Sequence, residues 1–210
     1  MTLRFSCFIS YRHTQEDIVQ ELVSSLETEL SRWLDLDVYV DRERLKGGQF
    51  FNSELAKALC ESVCLIVVYT PTYFSKQNSY CAREYKAMEI LEDERLLYLG
   101  LPRNKRRGFI IPIVYRGDKK LPTTIKNERH YHLFEPFQIS GRDTLDNPEY
   151  AEKIKDIAEY IEERCAELRL VEDDICACCD TFSFPEESEI SDWLENMLPP
   201  KPELPGRKVI

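Results

Sequence analysis

The chain has 210 residues, of which 43 % are hydrophobic, so it can form one domain with a substantial core and still have residues to spare. Its formal charge at pH 7 is −10, from 38 acidic and 28 basic residues, which argues against a protein that tracks nucleic-acid phosphates or binds anionic membranes. No apolar run approaches the roughly 18 residues that span a membrane, and the first residues lack the apolar region of a secretory signal. We therefore expect a cytoplasmic protein with neither a nucleic-acid nor a membrane partner.

Strand-like and helix-like segments alternate from the start of the chain. Apolar runs predict strands and amphipathic stretches predict helices, in this order: strand 5–11, helix 14–34, strand 37–41, helix 52–62, strand 63–69, helix 80–95, strand 109–116, a short strand 131–134 and a long helix 147–169. Such alternation is typical of βαβ units around a parallel sheet. We predict an α/β domain over residues 1–169. Residues 170–210 are predicted to form a C-terminal extension with one short helix (186–198) and a proline-rich tail.

Polar residues follow the first two predicted strands. Ser10, Tyr11 and Arg12 end the first strand, and Asp41 ends the second. The carboxyl ends of parallel strands meet at one edge of a sheet, and this is where open α/β sheets bind their ligands. The stretch RLKGGQFFNSELAKAL, residues 44–59, leads from that edge into the second helix. This stretch is therefore predicted to lie at the functional edge.

Four segments, in this order, resemble the Toll/interleukin-1 receptor (TIR) domain family. CFISYRH resembles the first box of the family, and VYVDRERLKGGQF resembles the second box and the BB loop. SELAKALCESVCLIVVYTPTYFSKQNSYCAREY is similar to the following helix, strand and helix of plant and bacterial members, and FIIPIVY to the fourth strand. The resemblance covers roughly residues 4–165. It implies a flavodoxin-like, three-layer fold with a central, parallel, five-stranded sheet.

The resemblance also implies an activity. Many plant and bacterial members of the family cleave NAD+ at the nicotinamide–ribose bond, so NAD+ would be a substrate and no cofactor is implied. Their glutamate stands six residues after the glycine of a Leu-x-x-Gly pattern, which Leu45 and Gly48 match, so the catalytic role falls on Glu54. Phe50 stands where bacterial enzymes often carry tryptophan. The products would be nicotinamide and ADP-ribose, or a cyclic or conjugated ADP-ribose.

The chemistry gives a carboxylate a clear role. Loss of nicotinamide leaves an oxocarbenium-like ribose, and a fixed carboxylate stabilises the developing positive charge. Nicotinamide leaves as a neutral molecule, so no general acid is needed. With Asn52 or Ser53 as the expected N-cap, Glu54 lies in the first helical turn, where the macrodipole favours its ionised form. Glutamate in a first turn is also ordinary helix chemistry, and that alternative stays open.

The residues after the first strand are candidate NAD-binding groups. Arg12 could pair with the pyrophosphate, or it could form a salt bridge to Glu16 or Asp17. Tyr11 stands where the resembling enzymes have substrate-facing residues. Ser10 could cap the turn after the strand or reach the ribose.

The glycine loop and the helices supply further candidates. Gly48 gives the loop a backbone freedom that would allow it to gate a site. Asp41 could tie down this loop or contact the ribose. Phe50 could stack on the nicotinamide or the adenine, or it could pack beneath the helix. Glu84 resembles a helix glutamate of the family, and we expect an architectural role for it.

Eight cysteines occur in the chain, mostly inside predicted strands and helices, and we expect reduced thiols rather than a disulfide framework. Cys176, Cys178 and Cys179 could bind a metal or form a redox pair. No second pair of spaced cysteines or histidines lies nearby, so we predict no metal site. The chain has neither a G-x-G-x-x-G pattern nor a P-loop, which argues against redox use of NAD and against ATP hydrolysis.

The resemblance implies self-association through TIR–TIR contacts, because such sites often form between two domains of the family. It also implies a place in prokaryotic antiviral defence, with a separate effector protein sensing the product or with NAD depletion as the response. The alternative function is a non-catalytic TIR scaffold that signals by homotypic assembly. A third is a virulence protein that interferes with host signalling. NAD+ cleavage requires the carboxylate of Glu54, whereas the scaffold does not.

Overall fold

The computed structural model describes residues 2–12, 16–40, 49–76, 79–102, 108–138, 147–171, 175, 177 and 179–198. In these residues the strands and helices follow one another in the order β1 (Phe5–Ser10), α1 (Glu16–Leu30), β2 (Asp37–Val40), α2 (Gln49–Cys60), β3 (Ser62–Tyr69), α3 (Tyr80–Tyr98), β4 (Ile110–Val114), α4 (Thr123–Glu128), β5 (His132–Leu133), α5 (Pro148–Arg169) and α6 (Glu187–Met197).

The five strands form one parallel sheet in the order β2-β1-β3-β4-β5, which confirms the predicted flavodoxin-like topology. The central strand β3 has the sequence SVCLIVVY, and all of its residues are buried. A run without polar alternation suits a strand that is covered on both faces. Pro112 is tolerated in β4 because β5 pairs only with Ile113 and Val114, so the sheet is effectively at its edge there.

Helices cover both faces of the sheet. α1 and α5 pack together on one face, while α2 and α3 pack together on the other. The predicted apolar stripe of α5 is confirmed, because Ile154, Ile157, Ile161 and Cys165 are all buried. The resulting three-layer α/β fold is the one expected from the sequence.

Two boundaries differ from the sequence-based expectation. α2 begins at Gln49, so the expected cap at Asn52 or Ser53 is wrong and both residues lie inside the helix. The helix starts directly after the glycine pair because no residue between Gln49 and Asn52 breaks a helix, and the spacing of Leu55 and Leu59 continues back to Phe51 in the sequence. α4 was not predicted, since six residues are too few to show a helical period.

The described residues after α5 pack back onto the domain. We call residues 175, 177 and 179–198 the C-terminal segment. Its helix α6 buries Ile190, Leu194 and Met197. Trp193 lies against α3, with its ring centroid 5.7 Å from that of Tyr85. The predicted extension therefore contains the expected helix, and this helix is docked on the domain.

The C-terminal segment is also bonded covalently to the domain. Cys60 at the end of α2 forms a disulfide with Cys179. The expectation of reduced thiols is wrong for these two residues, because the return of the segment to α2 brings together cysteines 119 positions apart. Cys176 and Cys178 lie outside the described residues. None of the helices in the described parts is long and apolar enough to cross a membrane.

Candidate active site

The carboxyl edge of the sheet brings the ends of β1 and β3 next to each other. Ser10 ends β1 and pairs with Val67, two residues before Tyr69 ends β3. α2 follows β2, so it starts near this edge and runs back along the sheet. Glu54 is the sixth residue of the helix, which places it roughly 7.5 Å along the axis from Gln49. Glu54 therefore lies beyond the first turn, and the expected first-turn position is wrong.

The hydroxyl of Ser10 is fully engaged inside the protein. Ser10 is buried, and its Oγ lies 2.5 Å from Oε2 of Glu84 and 2.6 Å from the hydroxyl of Tyr73. A serine has one proton to donate, so when it donates to the carboxylate it accepts from Tyr73. The three side chains join the end of β1, the turn after β3 and helix α3. Glu84 is buried, as the expected architectural role requires.

Tyr11 and Arg12 continue the chain at the same edge. Tyr11 is buried, and its carbonyl oxygen accepts a hydrogen bond from the thiol of Cys81 at 3.5 Å. Arg12 is only partly buried, and its Nη1 has no hydrogen-bond partner among the described residues. The side chains of Glu16 and Asp17, the expected alternative partners of Arg12, lie outside the described part of the structure.

Glu54 lies on the outward face of α2 and is exposed. Lys57, three residues further on, donates a hydrogen bond to Oδ1 of Asp180 at 2.6 Å. This bond raises the pKa of Lys57, and the negative charges of Glu61 and Glu54 act in the same direction. Glu54 is therefore close enough to Lys57 for their charges to interact, although the described contacts include no ion pair between them.

Several predicted site residues cannot be placed. Asp41 and Gly48 lie outside the described residues. Phe50 is the second residue of α2, and its side chain is also outside the described part. The structure thus brings Ser10, Tyr11 and Arg12 to the carboxyl edge, and it places Glu54 on the helix that starts there.

Two residues near the candidate site were missed from the sequence. Tyr73 follows the strand next to β1, so the sheet order would have indicated its proximity to Ser10. Asp180 had no such signal, because its contact with Lys57 depends on the path of the C-terminal segment. Within the described residues, no group of three or more His, Cys, Asp or Glu side chains could hold a metal ion.

Comparison with known proteins identifies the family to which this chain belongs. The model of the TIR domain family matches residues 7–145, which is more than half of the chain. The chain belongs to the TIR domain family. The match includes the carboxyl edge and the whole of α2, and it ends before α5 and the C-terminal segment of this TIR protein.

A solved structure with a similar chain comes from a plant protein. The TIR domains of the activated Roq1 resistosome, which directly recognises the pathogen effector XopQ, share 20 % sequence identity with this TIR protein. The alignment covers 89 % of this chain and 98 % of that chain, with a TM-score of 0.39. No curated protein matches the sequence.

Proposed function

We propose that this TIR protein cleaves NAD+ at the nicotinamide–ribose bond, with Glu54 as the catalytic carboxylate. The observation that carries the proposal is the exposed carboxylate of Glu54 on α2, six residues after the glycine of the Leu-x-x-Gly pattern. An exposed carboxylate on a rigid helix can meet a substrate without first breaking an internal ion pair. Family membership supports the catalytic role of Glu54, since NAD-cleaving members use the glutamate at this position of the pattern.

The reaction needs little from the protein beyond charge and position. The bond between ribose C1′ and the nicotinamide nitrogen breaks, and its electron pair stays on the nitrogen, which becomes neutral. The oxocarbenium-like ribose is stabilised by the carboxylate of Glu54. The bond that replaces it is made by water, which gives ADP-ribose and a proton, or by the adenine of the same molecule, which gives a cyclic product.

Arg12 is the proposed partner of the pyrophosphate. Its Nη1 lacks a hydrogen-bond partner among the described residues, and a guanidinium binds phosphate oxygens with strong, directional hydrogen bonds. Ser10 would support the site from the interior, because its buried hydroxyl is hydrogen-bonded to Tyr73 and Glu84. Tyr11, Asp41, Gly48 and Phe50 remain the other proposed contacts.

The setting of the reaction is also part of the proposal. Activation by self-association through TIR–TIR contacts, a cytoplasmic location and a role in antiviral defence follow from the family resemblance alone. So does a separate effector protein that senses the product. An alternative is a scaffold without turnover, and the buried state of the Ser10 and Tyr11 side chains favours it, since a single domain then offers few groups to a substrate.

A direct test is to incubate the purified full chain with NAD+ and to separate the products by chromatography. We expect nicotinamide to appear, and Glu54→Gln to slow its release by about 10²-fold or more. Glu94→Gln is the matched control, since Glu94 is an exposed helix glutamate away from the edge. Nicotinamide release that is equal in the wild type and in Glu54→Gln would refute the catalytic role. If wild-type protein releases no nicotinamide even at concentrations at which it self-associates, the result would favour the scaffold.

A further inference from the structure

The C-terminal segment is fastened to α2 at two adjacent positions. Asp180 Oδ1 lies 2.6 Å from the ammonium of Lys57, and Cys179 is bonded to Cys60. These contacts lie one and two helical turns beyond Glu54. The segment therefore contacts the same helix that carries the proposed catalytic carboxylate.

Lys57 lies between two carboxylates, Glu54 on α2 and Glu61 directly after the end of α2. Glu54 precedes it by three residues and Glu61 follows it by four, and both spacings bring side chains to one face of a helix. The Lys57 ammonium is 3.8 Å from Oε1 of Glu61. Asp180 makes the shorter contact, at 2.6 Å, although it belongs to a distant part of the chain. Of the two carboxylates in contact with Lys57, Asp180 is therefore the closer, and Glu54 stands one helical turn away with no ion pair to Lys57 among the described contacts.

The contact with Asp180 depends on the neighbouring disulfide. The side chains of Lys57 and Asp180 are 36 % and 54 % exposed, and ion pairs so open to water are weak on their own. The bond between Cys179 and Cys60 keeps Asp180 beside α2, which gives its carboxylate a high effective concentration around Lys57. Without that bond, Glu54 and Glu61 have the advantage because they lie three and four residues from Lys57 in the sequence and stay beside it.

We propose that Asp180 is a positioning residue, which holds the ammonium of Lys57 away from Glu54, and that the Cys60–Cys179 disulfide keeps Asp180 in place. The inference rests on the proposed catalytic role of Glu54. When Asp180 leaves, Lys57 pairs with Glu54 and its positive charge opposes the developing ribose cation. A dithiol reductant would trigger this change. The S–S bond breaks, two electrons and two protons produce two cysteine thiols, and the dithiol becomes a disulfide.

The kinetic test uses the full chain in buffer without reductant. Asp180→Ala and Cys179→Ser should each lower kcat/KM for NAD+ by roughly three- to tenfold, as expected for one added positive charge near the reacting centre in a mostly aqueous setting. Asp180→Glu should retain most of the wild-type value. Adding Lys57→Met to either slow variant should restore the rate, because the competing charge is then gone. Slow variants that Lys57→Met does not rescue would overturn the proposal.

A second measurement separates this inference from the proposed function. In protein carrying ¹³C-methylated lysines, the NMR signal of Lys57 reports which carboxylate lies near it. We expect Glu54→Gln to shift this signal in the Asp180→Ala background and to leave it nearly unchanged in the wild-type background. Equal shifts in both backgrounds would refute the positioning role whether or not NAD+ is cleaved. Wild-type protein that fails to cleave NAD+ while showing the expected shifts would refute only the catalytic proposal.

Discussion

Arg129→Met should lower the free energy of unfolding by about 3–5 kcal/mol, because it removes one partner of a buried ion pair. Arg129 is 7 % exposed, and its two terminal nitrogens lie 3.0 and 2.9 Å from the carboxylate oxygens of Glu92, which is fully buried. Its Nε donates to the hydroxyl of Tyr85 at 2.7 Å, and Glu89 lies 3.4 Å away. Methionine fills much of the volume but leaves the buried Glu92 carboxylate without its counter-charge.

Urea denaturation followed by circular dichroism measures the loss of unfolding free energy, and thermal denaturation measures the matching fall in Tm. For a domain of this size each kcal/mol shifts Tm by about 2–4 °C, so the expected fall in Tm is roughly 6–20 °C. Arg32→Met is the matched control, since Arg32, just after the end of α1, pairs with Glu29 at 2.8 Å and is 63 % exposed. An exposed pair of this kind contributes about 0–1 kcal/mol. The two variants should therefore differ by several degrees in Tm.

The double variant Arg129→Met, Glu92→Gln tests the reasoning further. If the cost comes from an unpaired buried charge, removing that charge as well should recover part of the lost stability. A loss below about 1 kcal/mol for Arg129→Met would refute the argument, since an unpaired buried carboxylate costs more than that. A double variant that is no more stable than Arg129→Met would show that the loss arises from packing and hydrogen bonds instead.

Three further changes have expected outcomes. Burial, with the neighbouring His130 and Lys153 charges, lowers the pKa of His132 to about 4. The free energy of unfolding should therefore fall by up to about 3 kcal/mol as the pH drops from about 6.5 to 4, where His132 becomes protonated. Measured against pH, Tm should show this fall in the wild type and lack it in His132→Gln. Gly108→Ala should cost about 1–3 kcal/mol in urea denaturation, because a Cβ there would lie 2.7 Å from a Glu92 oxygen; equal stability would mean that this oxygen can move aside. Trp193→Ala should free α6 for faster hydrogen exchange and cost about 2–3 kcal/mol, less than a fully buried tryptophan, and unchanged exchange in α6 would contradict its docking through this ring.

The sheet was predictable because local patterns fix it. β3 is a continuous apolar run and must be covered on both faces, which demands helices on each side and a parallel arrangement. α5 could be placed almost to the residue, since Asn147 caps it by accepting a hydrogen bond from the backbone of Glu149. Signals of this kind depend on neighbours in the sequence and not on distant contacts.

The candidate site was predictable only in part. The family pattern led to Glu54, but the position of this residue within α2 depended on where the helix begins, and propensity alone did not locate that boundary. The internal hydrogen bonds of Ser10 required the positions of Tyr73 and Glu84, which lie 63 and 74 residues away. The Cys60–Cys179 bond was unpredictable for the same reason, since it reflects how the chain returns and not its composition.

The bond between Cys60 and Cys179 has a consequence for the order in which the protein is made. A ribosome must synthesise 119 further residues after Cys60 before its partner exists, and these residues include β3, β4, β5 and α5. All five strands are therefore synthesised before the residue that bonds α2 to the C-terminal segment. The cross-link can form only after residue 179 has been synthesised, and a truncated product that ends before this residue lacks it.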